Sequence, residues 1–170
     1  MRWPGIALPV RPLRRQILVS EPVADLPELP FSIDFGTAFY FHPEGTGLLM
    51  GMPDPCDQYG FDTSRSDDWL AALSEVVARR AHRLADVGVA HGWAGLYEMA
   101  PDHNAIVGEA ASVSRFLYAT GFSGHGFLQG AAIGEVLRDL VLGYPPVVDV
   151  SALDVRRFED SRSRPELNCV

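Results

Sequence analysis

Lysine is absent from this sequence, since all 14 basic residues among its 170 are arginine. The chain therefore has no side-chain amine for a Schiff base, a lysine general base or a lysine clamp on a carboxylate. Cysteine is scarce, and the wide separation of Cys56 and Cys169 matches no metal-ligating or redox spacing. The histidines likewise show no metal spacing. We therefore expect two free thiols in a reducing cytoplasm and no metal site.

Long apolar runs are also missing. No stretch approaches the roughly 18 apolar residues that a membrane-spanning helix requires. The first ten residues contain Pro4 and Pro9 and lack the apolar centre of a signal peptide. The net charge of −8 argues against a nucleic-acid surface, which needs clustered cations. These absences predict a cytoplasmic chain with no membrane span and no nucleic-acid partner.

What is present is typical of a folded domain, with 47% hydrophobic and 21% charged residues. A strand is predicted over 14–21, and a hairpin over 32–41 and 47–52 with His42 at its tip. Ser66 is a predicted N-cap, and Gly88 is the predicted end of the helix that follows. Residues 1–13 are predicted to be irregular. Hairpins with two long helices indicate an α+β fold, a mostly antiparallel sheet in a single domain over 1–170.

One stretch carries most of the functional information, and it runs from Trp93 to Gly143. Its centre reads GFSGHGF, from Gly121 to Phe127, between the apolar segment RFLYAT and an amphipathic helical pattern. A strand, a glycine turn and a helix start leave unpaired backbone N–H groups and a partial positive charge at the turn. The pattern predicts a site for a phosphate, a carboxylate or the electron-rich edge of a heterocycle. A plain tight connection has the same pattern.

WAGLYEMAPDHNAIVGE followed by LYATGFSGHGF resembles the C-terminal end of flavin-dependent amine oxidoreductases of the D-amino-acid-oxidase superfamily. The closest resemblance is to the sarcosine oxidase, dimethylglycine and proline dehydrogenase β-subunit branch. It implies a substrate domain (about 14–92) and a flavin-ring-contacting part with the C-terminal helix (about 93–158). The superfamily's N-terminal strand–GxGxxG–helix unit, a Rossmann unit that holds the ADP half of FAD, is absent. We therefore expect at most a partial FAD site and inactivity without a Rossmann-containing partner.

The resemblance also implies roles for individual residues. Backbone N–H donors at a helix start stabilise the negative charge that reduction places on a flavin ring. The implied flavin contacts are Gly121, Phe122, Ser123, Gly124, His125, Gly126 and Phe127. Tyr97 matches a tyrosine that faces the substrate cavity, and His42 is a second candidate lining residue, so both are catalytic candidates. Asp102 is expected to cap a turn rather than to act as an acid or base.

The chain departs from the sarcosine-type pattern at three positions. Gly95 stands where those enzymes carry the cysteine that bonds covalently to flavin, which implies noncovalent FAD. Leu128 stands where they carry a carboxylate-clamping lysine, and Pro53 falls near an expected active-site histidine. These departures favour the multi-subunit β-subunit and general FAD-dependent oxidoreductase branch. The resemblance implies oxidation of a secondary or tertiary amine, or an amino acid, by hydride transfer to FAD.

Other readings of the sequence remain open at this stage. The chain is alternatively a non-catalytic binding or assembly subunit built on the same domain. A fragment without a function of its own and an anion-binding module unrelated to flavin are two further possibilities. For each residue singled out, a purely structural role competes with the functional one: His125 as a helix-start histidine, Tyr97 as a half-buried strand tyrosine.

Overall fold

A computed structural model describes residues 2–3, 5–57, 59–160 and 162–167. The chain groups into two compact units, one from Met1–Pro12 with Tyr97–Cys169 and the other from Leu13–Leu96. We call the first the glycine-turn unit and the second the hairpin unit. The expectation of one domain, with parts at about 14–92 and 93–158, stays a prediction.

The described residues form nine strands and two α-helices. In chain order the strands are β1 (Arg2–Trp3), β2 (Ile6–Ala7), β3 (Arg11–Ser20), β4 (Ser32–Asp34), β5 (Phe39–Glu44), β6 (Gly47–Gly51), β7 (Val89–Met99), β8 (Ile106–Glu109) and β9 (Leu117–Thr120). The α-helices are α1 (Asp67–Arg80) and α2 (Gly126–Leu142), and short 3₁₀ helices cover His82–Leu84, Ser151–Leu153 and Val155–Phe158. Among the helices of the described residues, none is long and apolar enough to cross a membrane.

A five-stranded sheet of order β4-β5-β6-β3-β7 is the framework of the hairpin unit. The β4–β5, β5–β6 and β3–β6 pairs are antiparallel. His42 pairs with Leu49 inside β5. The predicted position of His42 at the hairpin tip is therefore wrong. The strands extend to a Glu44–Gly47 pair, with Gly45 at φ +59° in the turn. A tight turn centred on glycine replaces the predicted medium loop because glycine adopts positive φ at no steric cost.

Helix α1 covers one face of this sheet. The predicted cap is confirmed: the Trp69 amide donates to Ser66 Oγ at 3.2 Å, and Asp67 and Asp68 occupy the first turn. Its apolar stripe packs with residues of β3, β5 and β6 in one core, which includes Leu18, Phe39, Leu48, Met50, Trp69, Leu73, Val76 and Val77. The helix ends at Arg80 rather than at Gly88, because Ala81 leaves the helical region at φ −138°.

The glycine-turn unit contains the antiparallel pairs β1–β2 and β8–β9 together with α2. Residues 1–13 therefore include strand structure where the sequence suggested an irregular segment. Ile133 and Val136 of α2 pack on Ala105 and Val107 at β8. Gly143, at φ +75°, ends α2 in the left-handed region that a helix-terminating glycine favours. The α+β class, with an antiparallel sheet and two helices, is confirmed.

Candidate functional site

The GFSGHGF turn joins β9 to α2, and three of its residues have left-handed backbone angles. Gly121 has φ +71°, Ser123 φ +52° and Gly124 φ +100°. A Cβ added at Gly121 would lie 3.1 Å from Ala100 Cβ, tighter than nine in ten real Cβ contacts. The backbone angle and the limited space thus both favour glycine at this position, which fixes the path of the turn.

Ser123 holds the turn in place through its side chain and its backbone. Its hydroxyl, only 1% exposed, accepts from the Ala100 amide and donates to the Gly121 carbonyl, both at 3.1 Å. Its own amide donates to the Glu98 carbonyl at 3.1 Å. A serine whose polar atoms are occupied in this way offsets the cost of its positive φ. The Ser123 side chain therefore builds the turn, whereas His125, Gly126 and Phe127 follow it into the helix.

The N-terminus of α2 has neither a capping side chain nor an acidic residue to offset its partial positive charge. His125 is the N-cap but makes no side-chain capping bond, and no acidic residue lies in the first turn. The first-turn N–H groups of a helix lack intrahelical acceptors and carry the positive end of its dipole. Phe127 is 99% exposed and the neighbouring Leu128 is 80% exposed. The helix start thus combines uncompensated backbone donors with an exposed apolar rim.

Tyr97 lies against this turn. A Cβ added at Gly124 would fall 2.6 Å from Tyr97 Cε2, so the ring occupies the space that glycine leaves. The structure therefore brings the candidates Tyr97 and Gly124 together within the glycine-turn unit. Phe122 forms a backbone bridge to Met99, two residues further along the same strand, β7.

His42 belongs to the hairpin unit, and its neighbours there are aromatic. Its ring lies 5.6 Å from that of Phe31, which also stacks on Tyr40 at 5.6 Å. His42 Nδ1 is 2.8 Å from the Pro43 carbonyl oxygen. Tyr40 pairs with Gly51, where a Cβ would come within 2.5 Å of the phenol ring. Glycine in β6 therefore lets the Tyr40 ring lie flat on the sheet beside His42.

Strand β7 carries a feature that the sequence reading did not single out. His91 and Trp93 stack at 5.9 Å, and Trp93 is 48% exposed. Gly95 follows on the same face of the strand because side chains alternate with period two. No atom lies within 4 Å of the position that a Gly95 Cβ would take. The signal available in the sequence was the spacing His91, Trp93, Gly95 within one strand.

Asp102 does cap its turn, since the Asn104 amide donates to its carboxylate at 3.2 Å. Its main partner is Arg157, which no sequence pattern indicated and which donates to both oxygens at 2.7 and 2.9 Å. Both side chains are buried, at 2% and 4% exposure. Burial raises the pKa of Asp102, but the bonds from Arg157, Asn104 and Ser163 outweigh burial and hold it below the usual value.

Metal ligation has no support in the part of the chain that the structure describes. No group of three or more His, Cys, Asp or Glu side chains there is placed to hold an ion.

Known proteins resemble this chain in sequence and in fold. FAD-dependent oxidoreductase domain-containing protein 1 of Xenopus laevis is 30% identical over 174 aligned residues, covering 98% of this chain and 35% of that protein. Mitochondrial sarcosine dehydrogenase of Mus musculus is 24% identical, over 94% of this chain and 18% of its own length. The crystal structure of L-proline dehydrogenase from P. horikoshii superposes with a TM-score of 0.84 at 25% identity, over 93% of this chain and 42% of that one. The chain thus spans well under half the length of these relatives.

A family model described as DAO, FAD dependent oxidoreductase, matches residues 2–140. That match covers most of the chain, including the glycine turn and most of α2. The chain belongs to the DAO family of FAD-dependent oxidoreductases.

Proposed function

We propose that this chain supplies the C-terminal, flavin-ring-contacting portion of an amine or amino-acid oxidoreductase. The reaction is oxidation of a secondary or tertiary amine at its C–N bond. When bound, FAD supplies the hydride acceptor for that oxidation. The observation that carries the proposal is the uncapped, acid-free start of α2 with Tyr97 packed against its turn. Its relatives include a sarcosine dehydrogenase and an L-proline dehydrogenase, which fits this substrate class.

The residues present fit a flavin ring edge at the turn. Gly121 and Gly124 let the turn pack closely on Ala100 and on the Tyr97 ring, which fixes the direction in which α2 begins. The amides at the start of α2, from Gly126 onward, are oriented before any ligand arrives, and such donors stabilise charge that develops during a reaction. Gly95 carries no thiol, which supports a noncovalent cofactor. The proposed flavin contacts are those named from the sequence, with Ser123 acting through the shape of the turn.

Two side chains are proposed to face the substrate. The Tyr97 phenol is a donor suited to a substrate carboxylate. His42, in the hairpin unit, is proposed as a second catalytic residue, supported by its place beside Phe31 and Tyr40 on one sheet surface. Leu128, where sarcosine-type enzymes carry a lysine, supports a carboxylate held by means other than an ammonium group.

The FAD site is proposed to be partial. No strand–GxGxxG–helix unit occurs in these 170 residues, so most contacts to the ADP half would come from a Rossmann-containing partner chain. The exposed Phe127 and Leu128 support an apolar contact with such a partner, because desolvating them favours association. We propose that the isolated chain is inactive and that it works in the cytoplasm, where the exposed thiol of Cys56 stays reduced.

The experiment is a flavin titration of the purified chain, alone and with a co-encoded Rossmann-containing chain, followed by absorbance and fluorescence. The informative variant is Phe127→Asp. An acid in the first turn of α2 stabilises the helix but opposes negative charge at its N-terminus. Phe61→Asp is the control, since Phe61 is also exposed, at 82%, and lies in the hairpin unit.

We expect weak or no flavin binding by the chain alone and clear binding with the partner. Phe127→Asp should lower flavin affinity by about tenfold or more, without any loss of thermal stability and with a normal Phe61→Asp control. A stable complex without flavin would favour the alternative, a non-catalytic assembly subunit, for which the exposed Phe127 and Leu128 also argue. Stoichiometric flavin on the dialysed chain alone, or full affinity in Phe127→Asp, would contradict the proposal.

A further inference from the structure

A cavity of about 640 Å³ lies in the glycine-turn unit, away from the GFSGHGF residues in sequence. The Asp102–Asn104 turn forms one wall, the 3₁₀ segment around Leu153 forms another, and residues 162–164 form the third. Its charged lining consists of Arg157, Arg162, Arg164 and Asp102. The lining thus has three arginines and one aspartate, in a chain whose net charge is −8.

Arg157 lies at what we call the floor of the cavity, and its guanidinium is fully hydrogen-bonded. Arg157 donates to both oxygens of Asp102 and to the carbonyls of Leu153, Asp154 and Asn104. These bonds use all five N–H donors of its guanidinium. Arg157 is therefore a buried support for the walls. The cations available to a ligand are those at the rim.

Residues 162–166, which we call the rim segment, are hydrogen-bonded to the Asp102–Asn104 turn. Asn104 Nδ2 donates to the Arg164 carbonyl at 2.8 Å, and the Glu166 amide donates to the Asp102 carbonyl at 2.9 Å. The Ser163 hydroxyl donates to Asp102 at 3.0 Å. Three bonds within four residues fix the main chain that presents Arg164, which reduces the ordering cost of a ligand contact.

The guanidinium groups of Arg162 and Arg164, in the rim segment, differ in whether they already have a hydrogen-bond partner. Arg162 already pairs with Asp160 at 2.5 Å while remaining 67% exposed. Arg164 is exposed, and no hydrogen bond or ion pair of its side chain is found among the described residues. A guanidinium binds planar carboxylates and phosphates through two parallel hydrogen bonds, and a neighbouring cation adds to the attraction.

We propose that this cavity binds a small anion that carries a carboxylate or phosphate group, with Arg164 as its main contact and Arg162 as the second. The binding is independent of flavin and of the proposed oxidoreductase function. Because arginine stays protonated throughout the accessible pH range, affinity should follow the ionisation of the ligand and fall with added salt.

The test is an NMR titration of the full chain with inorganic phosphate and, separately, with succinate. Saturable shifts should appear at the amides of residues 102–104 and 162–166, and the two ligands distinguish a phosphate site from a carboxylate site. Arg164→Gln should weaken binding of the preferred anion by about tenfold, the worth of a charge-assisted contact. Arg79→Gln, at an exposed arginine of α1, is the matched control.

The thermal unfolding temperature of Arg164→Gln should equal that of the unmodified chain, because the side chain is exposed. Shifts that fail to saturate, that spread over the surface, or that survive Arg164→Gln would overturn the proposal. An equal loss of affinity in Arg79→Gln would overturn it as well, since that result would indicate attraction to net charge alone.

Discussion

Each compact unit contains a buried aspartate paired with an arginine, and the two carboxyl groups respond in opposite ways. Asp102 in the glycine-turn unit and Asp57 in the hairpin unit have side chains only 2% and 3% exposed. Each accepts a 2.7 Å bond from an arginine Nε, that of Arg157 and that of Arg14. Yet the pKa of Asp102 is lowered and the pKa of Asp57 is raised.

The difference lies in how many partners each carboxylate has. Both oxygens of Asp102 accept bonds, from Arg157 on each side and from Asn104 and Ser163. Asp57 Oδ1 accepts from Arg14, whereas Asp57 Oδ2 is buried with no partner among the described residues. Burial outweighs one arginine bond at Asp57, and the charge of Asp54 adds to the effect.

Arg14 itself is attracted to Asp57, and its pKa is raised, chiefly by that hydrogen bond. Its guanidinium also approaches Asp54 and Asp62, at 3.6 and 3.3 Å. Arg14 is thus shared among three carboxylates, whereas the one carboxylate that pairs with Arg157 among the described residues is that of Asp102. In these two pairs, the pKa of the buried aspartate is lowered where both carboxylate oxygens accept bonds and raised where one oxygen has no partner.

The largest expected effect is that of Arg157→Leu. Removing the guanidinium leaves the Asp102 carboxylate buried without its counter-ion, and breaking such a pair costs about 3–5 kcal/mol. Urea unfolding of the chain measures the loss. Arg156→Leu is the neighbouring control: its side chain is 65% exposed, so its pair with Asp154 should contribute little. Similar losses in both variants would show that the buried pair has no special role.

The second prediction concerns how the stability of Asp102→Asn, relative to the unmodified chain, changes as the pH is lowered. A lowered pKa in the folded state means that the carboxylate contributes stability above the ordinary aspartate pKa. This contribution is lost as the pH falls through the lowered value. The variant should therefore be less stable than the unmodified chain at neutral pH, and the gap should close on acidification. Urea unfolding over a pH series measures the gap, and a gap that widens in acid would be inconsistent with this assignment.

The sequence predicted the parts of the fold that local chemistry determines. Ser66 followed by two aspartates specified the start of α1, and Gly143 specified the end of α2. The predicted position of His42 was wrong, because β5 continues past His42 to the Glu44–Gly47 pair and the chain turns at Gly45. The early end of α1 depends on the backbone of Ala81, which carries no sequence signal.

The candidate site was predictable to a similar extent. The strand–glycine–helix pattern predicted the glycine turn, and the family resemblance singled out Tyr97. The contact of the Tyr97 ring with Gly124 was not predicted. The Asp102–Arg157 pair did not follow, because 55 positions separate its members and only the folded chain brings them together. The contacts of Phe31 with Tyr40 and His42 were not predicted either, because Phe31 precedes β4 and no strand pattern indicated its position.

Asp57→Asn has the smallest expected effect and the opposite dependence on pH. Asparagine keeps an oxygen that can accept from Arg14 Nε, and it removes a buried charge whose second oxygen has no partner. The loss of the ionic contact and the relief of desolvation therefore nearly cancel, leaving a change within about 1 kcal/mol at neutral pH.

The sign follows from the raised pKa. A carboxyl group whose pKa is raised by folding contributes stability below its ordinary pKa and loses it as the pH rises through the folded value. Relative to the unmodified chain, Asp57→Asn should therefore gain stability as the pH rises from acid towards neutral, whereas Asp102→Asn loses it over the same direction. Denaturant midpoints of both variants, measured side by side, provide the test. Parallel curves for the two variants would mean that the unpartnered oxygen of Asp57 does not control its ionisation.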